Sequence, residues 1–268
     1  MTTLSKKMNM SGRRALITGA TGGLGRIMAL TLAEMGADLI LVDRPGTAYA
    51  ALTEELLALR QIGITTIDCD LEQPVQRANL IEQVLQSGPS LSVLINNAAF
   101  VGTSGLQGWV TPFEEQSVAT WCRALEVNLT AAFDLVKGLT PALRASRHAS
   151  IINIASIYGY LGPDYSLYEG TAMGSPAAYA ASKGGLIQLT RWLATTLATD
   201  NIRVNTISPG GVFRNQPESF VQRYSARTPL GRMATEDDFG GTVAYLTSDL
   251  SSYVTGQNLM VDGGWGVW

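Results

Sequence analysis

Histidine and cysteine are nearly missing from this chain, which has one of the first and two of the second among 268 residues. His148 cannot build a histidine metal site alone, and its polar setting beside Arg147 places it on a surface loop. Cys69 and Cys122 have no CxxC or metal-site spacing, so no metal site is expected and both are read as buried thiols. No uninterrupted apolar run approaches the roughly 20 residues that cross a bilayer. The N-terminal tail, 1–11, carries Lys6 and Lys7 without the apolar stretch of a signal peptide, so no membrane partner and a cytoplasmic location are expected. Clustered basic residues are also missing, and the formal net charge is −3, which argues against a nucleic-acid partner. No repeat, low-complexity tract or linker interrupts the chain, so residues 1–268 read as a single domain.

What is present is a globular composition, 46% hydrophobic and 15% charged, enough to close a sizeable core. Short β-branched runs alternate with segments of helical period, the pattern of a parallel sheet with crossover helices. The strands expected are Ala15 to Thr18, Leu39 to Val42, Ile64 to Asp68, Leu91 to Ile95, Ser150 to Ile154, Arg203 to Ile207 and Asn258 to Val261. Helices are expected over Leu24 to Met35, Tyr49 to Leu59, Pro74 to Gln86, Val118 to Leu143, Ala178 to Thr199 and Glu236 to Thr247. Pro74 suits a first turn, and Thr235 with Asp238 resembles a capping box. The fold class is therefore α/β: a Rossmann-type, doubly wound, seven-stranded parallel sheet with helices on both faces. Two long loops, Phe100 to Glu115 and Tyr158 to Pro176, follow the fourth and fifth strands, and ligands bind at that edge of such a sheet.

The first strand runs into Thr18-Gly19-Ala20-Thr21-Gly22-Gly23-Leu24-Gly25. Glycines permit a tight turn and close approach to a pyrophosphate, and the following helix offers unpaired N–H groups and a favourable dipole. By itself such a turn can simply pack. Asp43, at the end of the second strand, sharpens the reading, because a carboxylate there can accept from a ribose diol and would repel a 2′-phosphate. NAD is thus favoured over NADP. Arg44 pulls the other way, since a guanidinium can pair with a 2′-phosphate or only stack on adenine. Asp70 and Leu71 after the third strand, and Asn97 and Ala98 after the fourth, fall on the same edge and are candidates for the adenine and ribose.

Tyr179 and Lys183 lie four apart, on one helix face. A phenol with pKa near 10 is a poor base at neutral pH, and a neighbouring ammonium favours its phenolate. Without context such a pair is ordinarily a surface contact. Here the context is an ordered set: the glycine turn, Asn96-Asn97-Ala98, Asn128, Ser156, Tyr179-x-x-x-Lys183 and Pro209-Gly210. In that order they resemble the classical short-chain dehydrogenases/reductases over residues 12–264. The resemblance implies hydride transfer between a nicotinamide cofactor and a secondary alcohol or ketone, with Tyr179 as general acid/base. It also implies that Lys183 holds the nicotinamide ribose, Ser156 bonds the reacting oxygen and Asn128 holds a relay water. Pro209, Gly210 and Val212 join the cofactor side, together with Tyr179 and Lys183, and a homotetramer or homodimer is implied. Asn128 falls mid-helix, where a local irregularity is plausible.

Three departures stand out. Ala99 replaces a common glycine, and Arg214 stands where threonine often follows Pro-Gly and can meet a substrate phosphate or carboxylate. Tyr179 lies 23 positions beyond Ser156, little short of double the usual spacing, so residues 158–176 form an insertion beside the substrate. The insertion is polar and aromatic and resembles a subgroup associated with flagellin modification and bacterial surface polysaccharides, which suits a sugar, sugar nucleotide or polyol. The readings weighed against this are an NADPH-dependent reductase of 3-oxoacyl carrier-protein substrates or small ketones, and a non-catalytic NAD sensor. In water, Trp265 and Trp268 would expose a large apolar area, so both are expected to be packed within the subunit or against a neighbour.

Overall fold

The computed structural model describes residues 3–101 and 106–268. Four residues of the expected Phe100 to Glu115 loop, 102–105, and the first two of the tail lie outside the described part.

Seven strands form one sheet in the order β3-β2-β1-β4-β5-β6-β7, and every pairing is parallel. They are β1 (Arg14–Thr18), β2 (Asp38–Asp43), β3 (Ile64–Asp68), β4 (Val93–Asn96), β5 (Ser150–Ile154), β6 (Arg203–Pro209) and β7 (Asn258–Val261). Central strands are buried on both faces, so they read as continuous apolar runs. Side chains alternate between two cores. Leu16 of β1 points into one, while Ala15 and Ile17 point into the other. The first core is closed by α4 (Pro74–Gln86), α6 (Ala131–Ala145) and α7 (Ala177–Thr196). The second is closed by α2 (Gly23–Glu34), α3 (Ala50–Leu59) and α9 (Gly240–Thr247). Pro74 opens α4, and Thr235 and Asp238 form a capping box at the turn leading into α9.

Several expectations need correction. A short helix not expected, α1 (Leu4–Met8), forms in the tail, and Met10 behind it is fully buried, with its amide donating to the Met35 carbonyl. The single helix expected over Val118 to Leu143 is three pieces, α5 (Val118–Leu125), a π-turn (Glu126–Thr130) and α6. A helix not expected, α8 (Glu218–Arg227), follows β6. Cys69 is buried, but Cys122 faces solvent on α5. His148 is exposed in a bend, as its setting implied. Trp265 is 3% exposed and stacks on Tyr224 at 4.4 Å, whereas Trp268 is 71% exposed in the single chain. Among the described residues no helix is long and apolar enough to cross a membrane.

Strand order reverses between β1 and β4, so their carboxyl ends diverge into a crevice. The glycine turn leaves β1 and Asn97-Ala98 leaves β4 at that point. The fold thereby brings together two segments that are nearly 80 residues apart.

Candidate active site

Thr18 ties the crevice together. Its hydroxyl accepts from the amides of Asn97 (3.0 Å) and Ala98 (3.1 Å), while Asn97 Nδ2 donates to the carbonyls of Thr18 (2.9 Å) and Gly19 (3.0 Å). Gly19 sits at φ +64°, and an added Cβ would meet Ala98 Cα at 2.9 Å. At Gly25 a Cβ would stand 2.0 Å from the Gly19 carbonyl oxygen, an overlap with backbone that no side chain can relieve. The turn is therefore drawn as tight as glycine allows, and Gly22, Gly23 and Leu24 form the N-terminal end of α2 facing the crevice. This cradle fits a dinucleotide's pyrophosphate.

Asp43 ends β2 with both carboxylate oxygens engaged. Oδ2 accepts from Thr21 N (3.0 Å) and Thr21 Oγ1 (2.7 Å), and Oδ1 accepts from Arg44 N. Tyr49, which carried no sequence signal, positions it: the phenol accepts from Asp43 N (2.8 Å) and donates to the Ile67 carbonyl (3.1 Å). Beyond lies an open cleft of about 410 Å³ lined by Arg44, Pro45, Gly46, Thr47, Asp70 and Gln76. Arg44 and Asp70, both candidates for the cofactor, thus line one cleft. Leu71 differs: its side chain packs in the first core and its carbonyl accepts from Arg77. On the far side Gly210 N donates to the Val261 carbonyl (2.9 Å) beside Pro209 at the end of β6, and Val212 bridges to Ala234.

Tyr179, Lys183, Ser156 and Asn128 converge. Pro176 caps α7, which places Tyr179 in its first turn and Lys183 one turn on. Lys183 is 2% exposed; its ammonium donates to the Ile154 carbonyl (2.7 Å) and stands 5.7 Å from the Tyr179 ring centroid. Ser156 follows β5 and accepts from Tyr158 N at 3.2 Å. Asn128 lies in the π-turn and is 2% exposed; its Oδ1 accepts from Phe100 N (2.6 Å), and its Nδ2 donates to the Phe100 carbonyl (3.3 Å) and Ser182 Oγ (2.9 Å). Such bulges inside helices are frequent at functional sites.

Electrostatics differ from the expectation at one point. The Tyr179 phenol is raised, because burial disfavours its anion more than the Ser156 hydroxyl and the Arg214 guanidinium favour it. Lys183 is itself pushed down to about 8 by burial. Spacing alone showed the ammonium but not how little solvent reaches it. Two insertion residues, Tyr158 and Tyr168, share a hydroxyl–hydroxyl hydrogen bond, and both phenols feel the charge of Tyr179.

A doubly wound parallel sheet with a glycine cradle at its switch point, and a buried Tyr-Lys pair beside it, defines a dinucleotide-dependent dehydrogenase or reductase. Residues 19–266 match the family model described as enoyl-(acyl carrier protein) reductase, and the chain belongs to the short-chain dehydrogenase/reductase family. A tropinone reductase homolog of Arabidopsis thaliana is 34% identical over 98% of this chain and 95% of its own. A gluconate 5-dehydrogenase from Burkholderia cenocepacia, solved with NADP and tartrate, superposes with a TM-score of 0.85 at 28% identity, covering 99% and 100% of the two chains. A short-chain dehydrogenase from Leptospira borgpetersenii with bound NAD+ gives 0.82 at 32% identity, covering 99% and 96%. The chain is therefore an NAD(P)-dependent oxidoreductase.

Proposed function

We propose that the chain interconverts a secondary alcohol and a ketone on a sugar, sugar nucleotide or other polyol, with NAD as its preferred cofactor and Tyr179 as general acid/base. The observation that carries this reading is the set of hydroxyls near Tyr179: the Ser156 hydroxyl that favours its anion, and the Tyr158–Tyr168 pair of the insertion, whose phenols feel its charge. Such hydroxyls suit a hydroxylated substrate better than an acyl chain, in keeping with the insertion's resemblance to enzymes of bacterial surface sugars. In the reducing direction Tyr179 gives its proton to the carbonyl oxygen while Ser156 orients that oxygen; in the oxidising direction the phenolate takes the proton back. When bound, the nicotinamide carries the hydride and, oxidised, adds a positive charge that favours the phenolate. Lys183 holds the ribose hydroxyls, and Asn128 holds a water that returns protons to solvent. Asp43 supports NAD by its charge.

A second reading is a 3-oxoacyl or small-ketone reductase using NADPH. Arg44 favours it, being exposed and, among the described residues, in no ion pair. Tyr179→Phe is expected to abolish turnover while cofactor binding persists, and turnover that survived would remove Tyr179 from its role. Comparing NADH with NADPH across sugars, polyols and acyl thioesters separates the two readings. Assembly as a homotetramer or homodimer, covering Trp268, is read out by light scattering.

A further inference from the structure

Arg214 is an unusual residue for its position, and its side chain does not lie free. Its backbone is held by the Arg214 N–Gln216 Oε1 hydrogen bond (2.7 Å), a left-handed Asn215 (φ 57°), and the pairing of Phe213 N with the Ala234 carbonyl (2.8 Å). The guanidinium crosses to Glu236, with Nε 3.2 Å from Oε1. Both partners lie over the start of α2: a Cβ placed on Gly23 would stand 2.5 Å from Glu236 Oε1 and 3.0 Å from Arg214 Nη2. A helix N-terminus favours an anion, so the carboxylate rests against the element best suited to receive a phosphate. Arg214 is also near enough to the Tyr179 phenol for its charge to favour the anion.

We propose that Arg214 is the pyrophosphate anchor of this chain and Glu236 its resting counter-ion, with the arginine exchanging carboxylate for phosphate as the dinucleotide enters. Two observations make the exchange favourable. The Arg214 and Glu236 side chains are 53% and 32% exposed and meet through one long contact, so their pairing is weak. Phosphate offers the guanidinium a shorter, bidentate partner. Glu236, once released, must withdraw from Gly23, because a carboxylate beside a pyrophosphate is repelled. An arginine at this position thereby does by charge what a hydroxyl can do only by a hydrogen bond.

The proposal rests on the assignment of the crevice to a dinucleotide and is tested by binding rather than turnover. Calorimetric titration would compare wild type, Arg214→Gln and Glu236→Gln with ADP-ribose, which has the pyrophosphate but no nicotinamide, and with adenosine, which has no phosphate. Arg214→Gln is expected to weaken ADP-ribose about tenfold, the loss of one charge-assisted contact, and to leave adenosine unchanged. Glu236→Gln is expected to tighten ADP-ribose a few-fold, and this gain should vanish when both substitutions are combined. An Arg214→Gln protein that binds ADP-ribose within about twofold of wild type overturns the proposal, even if its turnover falls, because the arginine would then serve the substrate. Equal weakening by both variants also overturns it, since the pair would then be a structural brace. Wild type that fails to bind ADP-ribose overturns it outright. Wild type that binds ADP-ribose yet turns over no alcohol or ketone instead defeats the proposed function, and leaves the Arg214 comparison readable.

Discussion

Asn128 and Tyr179 are joined through one hydroxyl: Asn128 Nδ2 donates to Ser182 Oγ at 2.9 Å, and Ser182 Oγ donates to the Tyr179 carbonyl at 2.8 Å. The π-turn that carries Asn128 is thereby tied to the first turn of α7. The same amide holds the chain at Phe100, just past β4, through both its oxygen and its nitrogen. Asn128→Ala would leave the part-buried Phe100 amide without its partner and is expected to lower stability by about 1–2 kcal/mol. Turnover should fall at least tenfold with it. Urea denaturation alongside steady-state rates checks this, and unchanged stability would show that the side chain does not hold the turn.

Arg77 supports that turn from α4. Its side chain is 4% exposed and pairs with Glu126 (2.7 Å), the first residue of the π-turn, and Asp134 (2.9 Å) on α6, while donating to the Leu71 carbonyl (2.6 Å). Removing one partner of a fully buried pair costs about 3–5 kcal/mol. Glu126 and Asp134, however, are 30% and 32% exposed and can turn to water. Arg77→Met is therefore expected to cost about 2–3 kcal/mol, below that range. Adding Glu126→Gln and Asp134→Asn should recover part of it, and a triple variant no more stable than Arg77→Met in denaturant would exclude charge as the cause.

Lys183 makes stability depend on pH in a definite direction. Its folded pKa is about 8, below the ordinary lysine value of 10.5, because burial disfavours the ammonium. Between those values the unfolded chain binds the proton that the folded chain has shed, so this residue's contribution to stability rises with pH. Lys183→Met removes the effect. The stability of wild type relative to Lys183→Met should increase by about 2 kcal/mol between pH 8 and 10. Taking the difference cancels other groups that titrate there, such as Cys69, which burial raises to about 11. A flat difference across the window would show that the lysine reaches solvent.

Most of the sheet was legible because its central strands are buried on both faces and so stand out as short apolar, β-branched runs. Where burial is one-sided or slight, the signal fades. α1 has Lys6 and Lys7 at its centre and no buried residue, and α8 buries only Phe220 and Tyr224, one turn apart. Asn128 marked an irregular place in a helix, but nothing local announced a π-turn, whose support comes from Arg77 some 50 residues away. The Tyr179–Lys183 spacing disclosed an ammonium near a phenol. It could not disclose their burial, which raises one and lowers the other. Arg214 was visible as an oddity. Its meeting with Glu236 depends on Val212 bridging to Ala234, a tertiary contact.

The insertion is fastened to α8, and this bears on which kinetic constant should move. Arg223 Nη1 donates to the carbonyls of Leu167 (3.2 Å) and Glu169 (2.6 Å), on either side of Tyr168, whose ring packs 5.5 Å from Phe220. Arg227 pairs with Asp164 within the insertion. Ile157, Leu167, Phe220, Tyr224, Met233 and Trp265 form a small core beneath, separate from the two that flank the sheet. Arg223→Gln removes the clamp around Tyr168 while leaving that core and the dinucleotide cradle intact. If Tyr158 and Tyr168 face the substrate, KM for it should rise about three- to tenfold, matching the loss of one or two charge-assisted hydrogen bonds at a half-exposed site. The dissociation constant for NADH should stay within about twofold, because the cradle is untouched. A KM that did not change would free the insertion from any part in substrate recognition. A parallel rise in both constants would mean that α8 and the insertion brace the cofactor side as well.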